Sequence, residues 1–173
     1  MVTKEVIIVE SRFNEIFEYL PEITNKDNIG FKPTFMYGNN KQLLDYLRQN
    51  RSIESVYPLI WLIYPYNEIH ERSFVTLENV SIVLAVETNS SMLNEQRLKE
   101  TYAKVLFPLF DNIKKAIGIA NIISTDEKYS LVKFPNYSEE PNSEKNATTY
   151  VWDALKITFN CKITSNCLKP IKF

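Results

Sequence analysis

Two apolar runs near the middle of the chain set the reading of everything around them. Tyr57 to Tyr64 (YPLIWLIY) and Val80 to Val86 (VSIVLAV) are short and rich in β-branched and aromatic residues. A polar segment holding Asn67, Glu68, His70, Glu71 and Arg72 separates them. Runs of this make-up predict strands covered on both faces, and the short polar connection predicts an antiparallel pair. In the second run Val80, Ile82, Leu84 and Val86 share one face; Ser81, Val83, Ala85 and Glu87, mostly small or apolar, share the other. The pair is therefore expected at the centre of a sheet.

The flanking segments show helical and strand periods in turn. Val2, Val6, Val9, Phe13, Ile16, Phe17 and Leu20 are spaced by three and four, which predicts a helix from about Thr3 to Leu20, ended by Pro21. Glu22 to Gly30 reads as a polar loop. Phe31 to Tyr37 reads as a strand that Pro33 confines to an edge or an irregular start. After a Gly38-Asn39-Asn40 turn, Asn40 is placed to cap a second helix over Lys41 to Asn50, with Leu43, Leu44 and Leu47 inward. Past the central pair, Asn89-Ser90-Ser91 supplies a cap for a long helix. Its apolar face runs Leu93, Leu98, Tyr102, Val105, Leu106, Leu109, Phe110, Ile113 and Ile117, and its wet face holds Glu95, Arg97, Lys99, Glu100 and Lys104. Pro108 predicts a kink or break in that helix, and Gly118 is placed to stop it.

Ile119 to Ser124 fits either class, and Tyr129 to Phe134 reads as a strand. Pro135 to Thr149 (PNYSEEPNSEKNATT) is polar and without period, as expected of a mobile loop or hairpin extension. From Trp152 the alternation is strict. Leu155, Ile157, Phe159, Cys161 and Ile163 face one way, and Lys156, Thr158, Asn160 and Lys162 the other, which predicts an antiparallel strand with one wet face. Helices at both ends of a set of hairpins give an α+β fold: a single domain over residues 1–173 with a mostly antiparallel central sheet and helices packed on it.

Composition narrows the function. A 173-residue chain with 45% hydrophobic and 24% charged residues matches a globular domain. With net charge −1 there is no electrostatic case for bulk nucleic-acid binding, which needs many uncompensated Lys and Arg. No apolar run reaches the ~20 residues that cross a bilayer, and the N-terminus lacks an export signal, so Cys161 and Cys167 are expected as reduced thiols. His70 is the only histidine, without metal-ligand spacing around it. A nucleophilic pair of His70 with Cys161 or Cys167 would need the fold to bring them together. The three glycines are isolated, so no phosphate loop forms. Neither catalytic residues nor a cofactor are expected. The aromatic content of 13% leaves a surplus of large rings beyond the evident core positions, and such residues suit interfaces.

Three strings carry a resemblance: YPLIWLIYP (Tyr57 to Pro65), LAVETNSSMLNEQRLKETYAKVLFPLF (Leu84 to Phe110) and WDALKITFNCKI (Trp152 to Ile163). With the order of elements, they resemble small neck and tail proteins of tailed bacteriophages, including crAss-like phages of Bacteroidetes, and the order is similar to that of phage tail terminators. The resemblance covers most of the chain but contains no catalytic motif. It implies a tail-terminator-like fold and a structural virion protein, made in the host cytoplasm. It also implies a six- or twelve-fold ring of identical subunits, stacked as head–tail connector or tail terminator between portal, connector or tail proteins. DNA would pass through the lumen without sequence-specific binding, and no membrane would be involved. Trp61, Tyr64, Tyr66 and Phe107 are then expected as packing or interface anchors. Glu139, Glu140, Glu144 and Lys145 are expected as loop contacts, the acidic ones repelling DNA in the lumen. Phe31 to Tyr37 and the last strand are expected edges where a neighbour adds to the sheet. Two other readings remain open: a monomeric adaptor that docks a peptide on a sheet edge, and a small Cys/His enzyme.

Overall fold

The computed structural model describes residues 6–24, 29–50, 53, 56–137 and 150–173. In chain order the elements are α1 (Val9–Phe17), β1 (Ile23–Thr24), β2 (Gly30–Phe31), β3 (Thr34–Asn39), α2 (Asn40–Gln49), β4 (Leu59–Tyr64), β5 (Asn67–His70) and β6 (Phe74–Asn89). The long helix α3 (residues 94–119) follows, then β7 (Ile123–Thr125), β8 (Ser130–Tyr137) and β9 (Tyr150–Thr164). The fold is α+β: a seven-stranded sheet ordered β3-β4-β6-β9-β7, with β5 beside β6 and β8 beside β9. Every pairing in it is antiparallel except β3 with β4. A parallel neighbour needs a crossover, and α2 supplies it. β1 and β2 form a separate small hairpin.

The two central runs do pair antiparallel, Ile60 opposite Leu84 and Leu62 opposite Ile82. β6 is longer than the apolar run alone predicts, because its polar first half pairs with β5. Alternation sorts its side chains onto two cores. Val80, Ile82, Leu84 and Val86 pack with Ile60, Leu62, Leu155, Ile157 and Phe159 beneath α1 and α3. Val83 and Ala85 pack on the opposite face with Trp61, Trp152 and Ala154 beneath Leu43 and Leu47 of α2. Helices therefore cover both faces. Beyond α2 the second face carries the half-buried or exposed Ser81, Lys156, Thr158 and Lys162, as the alternation predicts for β9.

Several boundaries differ from the periodic reading, each for a local reason. α1 starts at Val9 rather than near Thr3; residues 1–5 lie outside the described set. Val6, Ile7, Ile8 and Val9 are consecutive β-branched residues with stiff χ1, and Ile8 offers no side-chain cap. In α2 the cap is Asn39, not Asn40. Asn39 Oδ1 accepts from the Gln42 amide and Gln42 Oε1 accepts from the Asn39 amide, both at 2.9 Å, a closed capping box. Gly38 permits it: its φ is +151°, and a Cβ there would lie 2.6 Å from Gln42 Oε1 and 3.0 Å from Trp61 Cζ2. Asn89 turns the chain by accepting from the Ser91 amide instead of capping α3.

α3 does not break at Pro108. It runs as Asn94–Arg97, a π-helical stretch Leu98–Leu106 and Phe107–Ile119, and the dihedrals at Leu106 and Phe107 stay right-handed helical. The Phe107 amide reaches back five residues to the Tyr102 carbonyl. The widened turn moves carbonyls off the proline ring, which would strike the one four residues back in a regular helix. Gly118 lies inside the last turn rather than after it.

Candidate interaction surfaces

The last strand is not an edge. β9 is flanked on one side by β6 and on the other by β7 and β8, which corrects the expectation that a neighbour adds there. Four strands are edges among the described residues: the short β5 and β7, and, at the two sides of the sheet, the longer β3 and β8. Among the described residues β3 takes a strand partner on one side only, β4, and β8 on one side only, β9. The edge expected at Phe31 to Tyr37 is thus present in its second half, as β3, while Gly30–Phe31 belongs to the small hairpin.

Both longer edges expose large apolar side chains: Met36 (36%) and Tyr37 (52%) on β3, and Leu131 (40%), Val132 (45%) and Phe134 (36%) on β8. Edge strands ordinarily carry charge to discourage pairing. The one lysine in β8, Lys133, is exposed and leans over α3, its Nζ 5.1 Å from the Phe107 ring centroid and 5.7 Å from that of Tyr102. It decorates α3 more than it guards the strand.

Beside β3 stands a polar aromatic cluster. The rings of Phe17, Phe35, Tyr37, Tyr64 and Tyr66 follow one another at centroid distances of 5.2, 6.3, 5.9 and 5.4 Å. The hydroxyls of Tyr64 and Tyr66 both donate to Glu10 Oε1, that of Tyr66 at 2.5 Å. Burial works to raise the Glu10 carboxyl, but the two hydroxyl donors together with a backbone amide outweigh it and hold the group below its ordinary value. Both tyrosines are raised, by burial first and then by the hydrogen bond to Glu10.

The largest polar arrangement in the interior is one that periodicity misplaced. Arg97, expected on the wet face of α3, is 1% exposed. Its Nη1 lies 2.6 Å from Asp153 Oδ1 and donates to Thr88 Oγ1 at 3.0 Å; Nη2 donates to the Asn89 carbonyl at 2.7 Å and Nε to the Met92 carbonyl at 3.1 Å. Thr101 Oγ1 is 2.8 Å from Asp153 Oδ2 and 2.5 Å from the Arg97 carbonyl, so its one proton can go to either. The network pins the start of α3 to the ends of β6 and β9. Asp153 continues the inward row of Leu155, Ile157 and Phe159, the signal in the sequence that could have found it.

The expected anchors divide accordingly. Trp61 is 3% exposed and lies in the α2 core, its Nε1 donating to the Gly38 carbonyl, so it packs within the chain. Tyr64 and Tyr66 are half-buried around Glu10, and Phe107 is half-buried against Tyr102. Glu139, Glu140, Glu144 and Lys145, with most of the expected 135–149 loop, lie outside the described residues; Pro135 and Tyr137 belong to β8. The Cys/His pairing is not assembled with Cys161. His70 is exposed on β5 beside Glu68 (2.7 Å), while Cys161 is buried on β9 across β6, its thiol pushed up to about 12 by burial. Cys167 is exposed. Among the described residues no group of three or more His, Cys, Asp or Glu is placed to hold a metal ion, and no helix is long and apolar enough to cross a membrane. An open groove of about 510 Å³ between the β6 bulge and the β7–β8 connection is lined by Asn79, Asp126, Lys128 and Asn160 among others.

No protein-family model matches the chain, and no curated protein matches its sequence.

Proposed function

We propose that this chain is a structural subunit that assembles with copies of itself into a closed ring, in the manner of the head–tail connector and tail-terminator proteins of tailed phages. The observation that carries the reading is the pair of longer edge strands, β3 and β8. One chain presents them on opposite sides of the same sheet, each with exposed apolar side chains and each without a second strand among the described residues. Two different surfaces that fit each other make a head-to-tail contact, and such contacts close into a ring when the rotation allows. The pinned long helix and the two-sided core give each copy the rigidity of a wedge. In this reading the neighbours in the stack are portal, connector or tail proteins, DNA crosses the lumen without base recognition, and the protein works by assembly alone.

Size-exclusion chromatography with multi-angle light scattering tests the reading, with negative-stain images, on the chain alone and mixed with portal or tail components. Discrete closed oligomers of six or twelve copies are expected. A monomer at every concentration that also fails to bind those components refutes it.

A further inference from the structure

We propose that, within the assembly reading above, copies join by antiparallel pairing of β8 of one to β3 of the next. Tyr37 stands opposite Leu131 and Phe35 opposite Lys133. Backbone directions make the first case. The Thr34 amide donates to the Pro58 carbonyl at 3.0 Å, with Thr34 in register with Leu59. Alternate residues of a parallel strand turn their backbone groups to the same side, so Thr34, Met36 and Gly38 address β4. The amides and carbonyls of Phe35 and Tyr37 face outward.

Alternation carries the same assignment across the sheet: Ile60 and Leu62 address β3, Trp61 and Val83 address each other, Ile82 and Leu84 address β9, and Ala154 and Lys156 address β8. Their partners Phe134 and Val132 thus turn their backbone groups inward, and the next residue, Pro135, has no N–H to offer. A proline in a strand belongs on the outward row of an edge. Leu131, Lys133 and Pro135 therefore form that row.

Side-chain faces then have to agree, because directly opposed residues of an antiparallel pair point to the same side. They do. Phe35 and Tyr37 lie on the α1 side, against Phe17 and Tyr64, and Lys133 lies on the α3 side over Tyr102 and Phe107. α1 and α3 cover the same face. Strand directions agree as well. β3 runs with β4, and each step from β4 to β6, β9 and β8 reverses direction. A copy related by rotation about an axis along the strands thus offers its β8 antiparallel to β3, with helices on the same side.

The register is bounded at both ends. With Tyr37 opposite Leu131, four outward groups on each strand are satisfied. Pro33 meets Pro135, where neither has an N–H, and Asn39, whose amide is already held by Gln42, ends the ladder. A slip by two puts Pro135 opposite Phe35 or takes the ladder beyond Ser130, where β8 starts; a slip by one turns every side chain to the wrong face. On the α2 side the same register sets Met36 against Val132 and Thr34 against Phe134, withdrawing exposed apolar groups from water.

Met36 and Val132 fall in a position without ladder bonds, where Cα atoms are about 4.5 Å apart and a disulfide fits. In a Cys167→Ser background, the Met36→Cys/Val132→Cys double variant is expected to oxidise to a ladder of covalent oligomers, while either single variant is not. Leu131→Pro keeps the β8–β9 bonds but removes one outward amide. It is expected to reduce the assembled mass to that of the monomer with an unchanged circular-dichroism spectrum. Rings that neither cross-link nor respond to Leu131→Pro overturn the edge pairing while leaving the assembly reading in place. Dimers from Val132→Cys alone, with no ladder from the pair, overturn it in favour of a two-fold contact. A chain that stays monomeric with and without phage neck components overturns both.

Discussion

Asp153→Asn isolates the charge in the buried network from its hydrogen bonding. The substitution nearly preserves shape, so it opens no cavity. An asparagine oxygen can accept from Arg97 Nη1, now 2.6 Å from the carboxylate, and its amide can donate to Thr101 Oγ1 while Thr101 turns its proton to the Arg97 carbonyl. What disappears is the negative charge beside a guanidinium that is 1% exposed. Removing one partner of a buried pair costs about 3–5 kcal/mol, because the other charge is left uncompensated. Against the roughly 5–15 kcal/mol that holds an ordinary domain together, that is a large fraction. In a chain of 173 residues it lowers Tm by roughly 6–20 °C. Urea unfolding followed by far-UV circular dichroism measures it, with the m-value unchanged. Arg97→Met is expected to be costly too, by stranding the carboxylate. The double variant Arg97→Met/Asp153→Asn is expected to lose clearly less than the sum of the singles. A loss below about 1 kcal/mol for Asp153→Asn, or additive singles, refutes the claim that this pair pins α3 to the sheet.

Three further outcomes test separate parts of the structure. Gly118→Ala should stabilise by about 0.5–1 kcal/mol in the same unfolding assay, since Gly118 is helical and nothing lies within 4 Å of an added Cβ. Because the Glu10 carboxyl is held below its ordinary value of 4.5, its contribution is fully present above that value and is lost as pH falls through the lowered one. Urea midpoints between pH 5 and pH 3 should therefore fall less steeply for Glu10→Gln than for the parent chain; parallel curves would deny Glu10 that role. A thiol reagent at neutral pH should label Cys167 alone in the folded protein and both cysteines in denaturant, as Cys161 is 4% exposed with its thiol pushed up to about 12.

Periodicity reported on burial wherever burial was one-sided or complete. The central pair, the inward row of β9, the apolar face of α3 from Tyr102 onward and the leucines of α2 lie where spacing predicts, because a strand or helix that buries one side must repeat its apolar residues at its own period. Leu93 and Leu98, expected on the same face of α3, are exposed because they precede the part of the helix that lies on the sheet core. Boundaries were less legible where caps and turns compete. Asn39 and Asn40 offer the same cap chemistry, and only the Gly38 conformation and the reach of Gln42 choose between them. Pro108 argued for a break that a run of π-helical turns absorbs.

The class of elements and their amphipathic faces follow from the chain alone, since each rests on contacts between near neighbours and on the choice between water and core. Which strands border the sheet does not. β9 looks like an edge by its wet Lys156, Thr158 and Lys162, yet it is enclosed, because a polar row marks an uncovered face of a sheet and says nothing about its sides. Arg97 looks solvated by its spacing, yet it is buried against a carboxylate 56 residues away. Both facts depend on partners brought from distant parts of the chain, and a local pattern contains no term for a partner that only folding supplies.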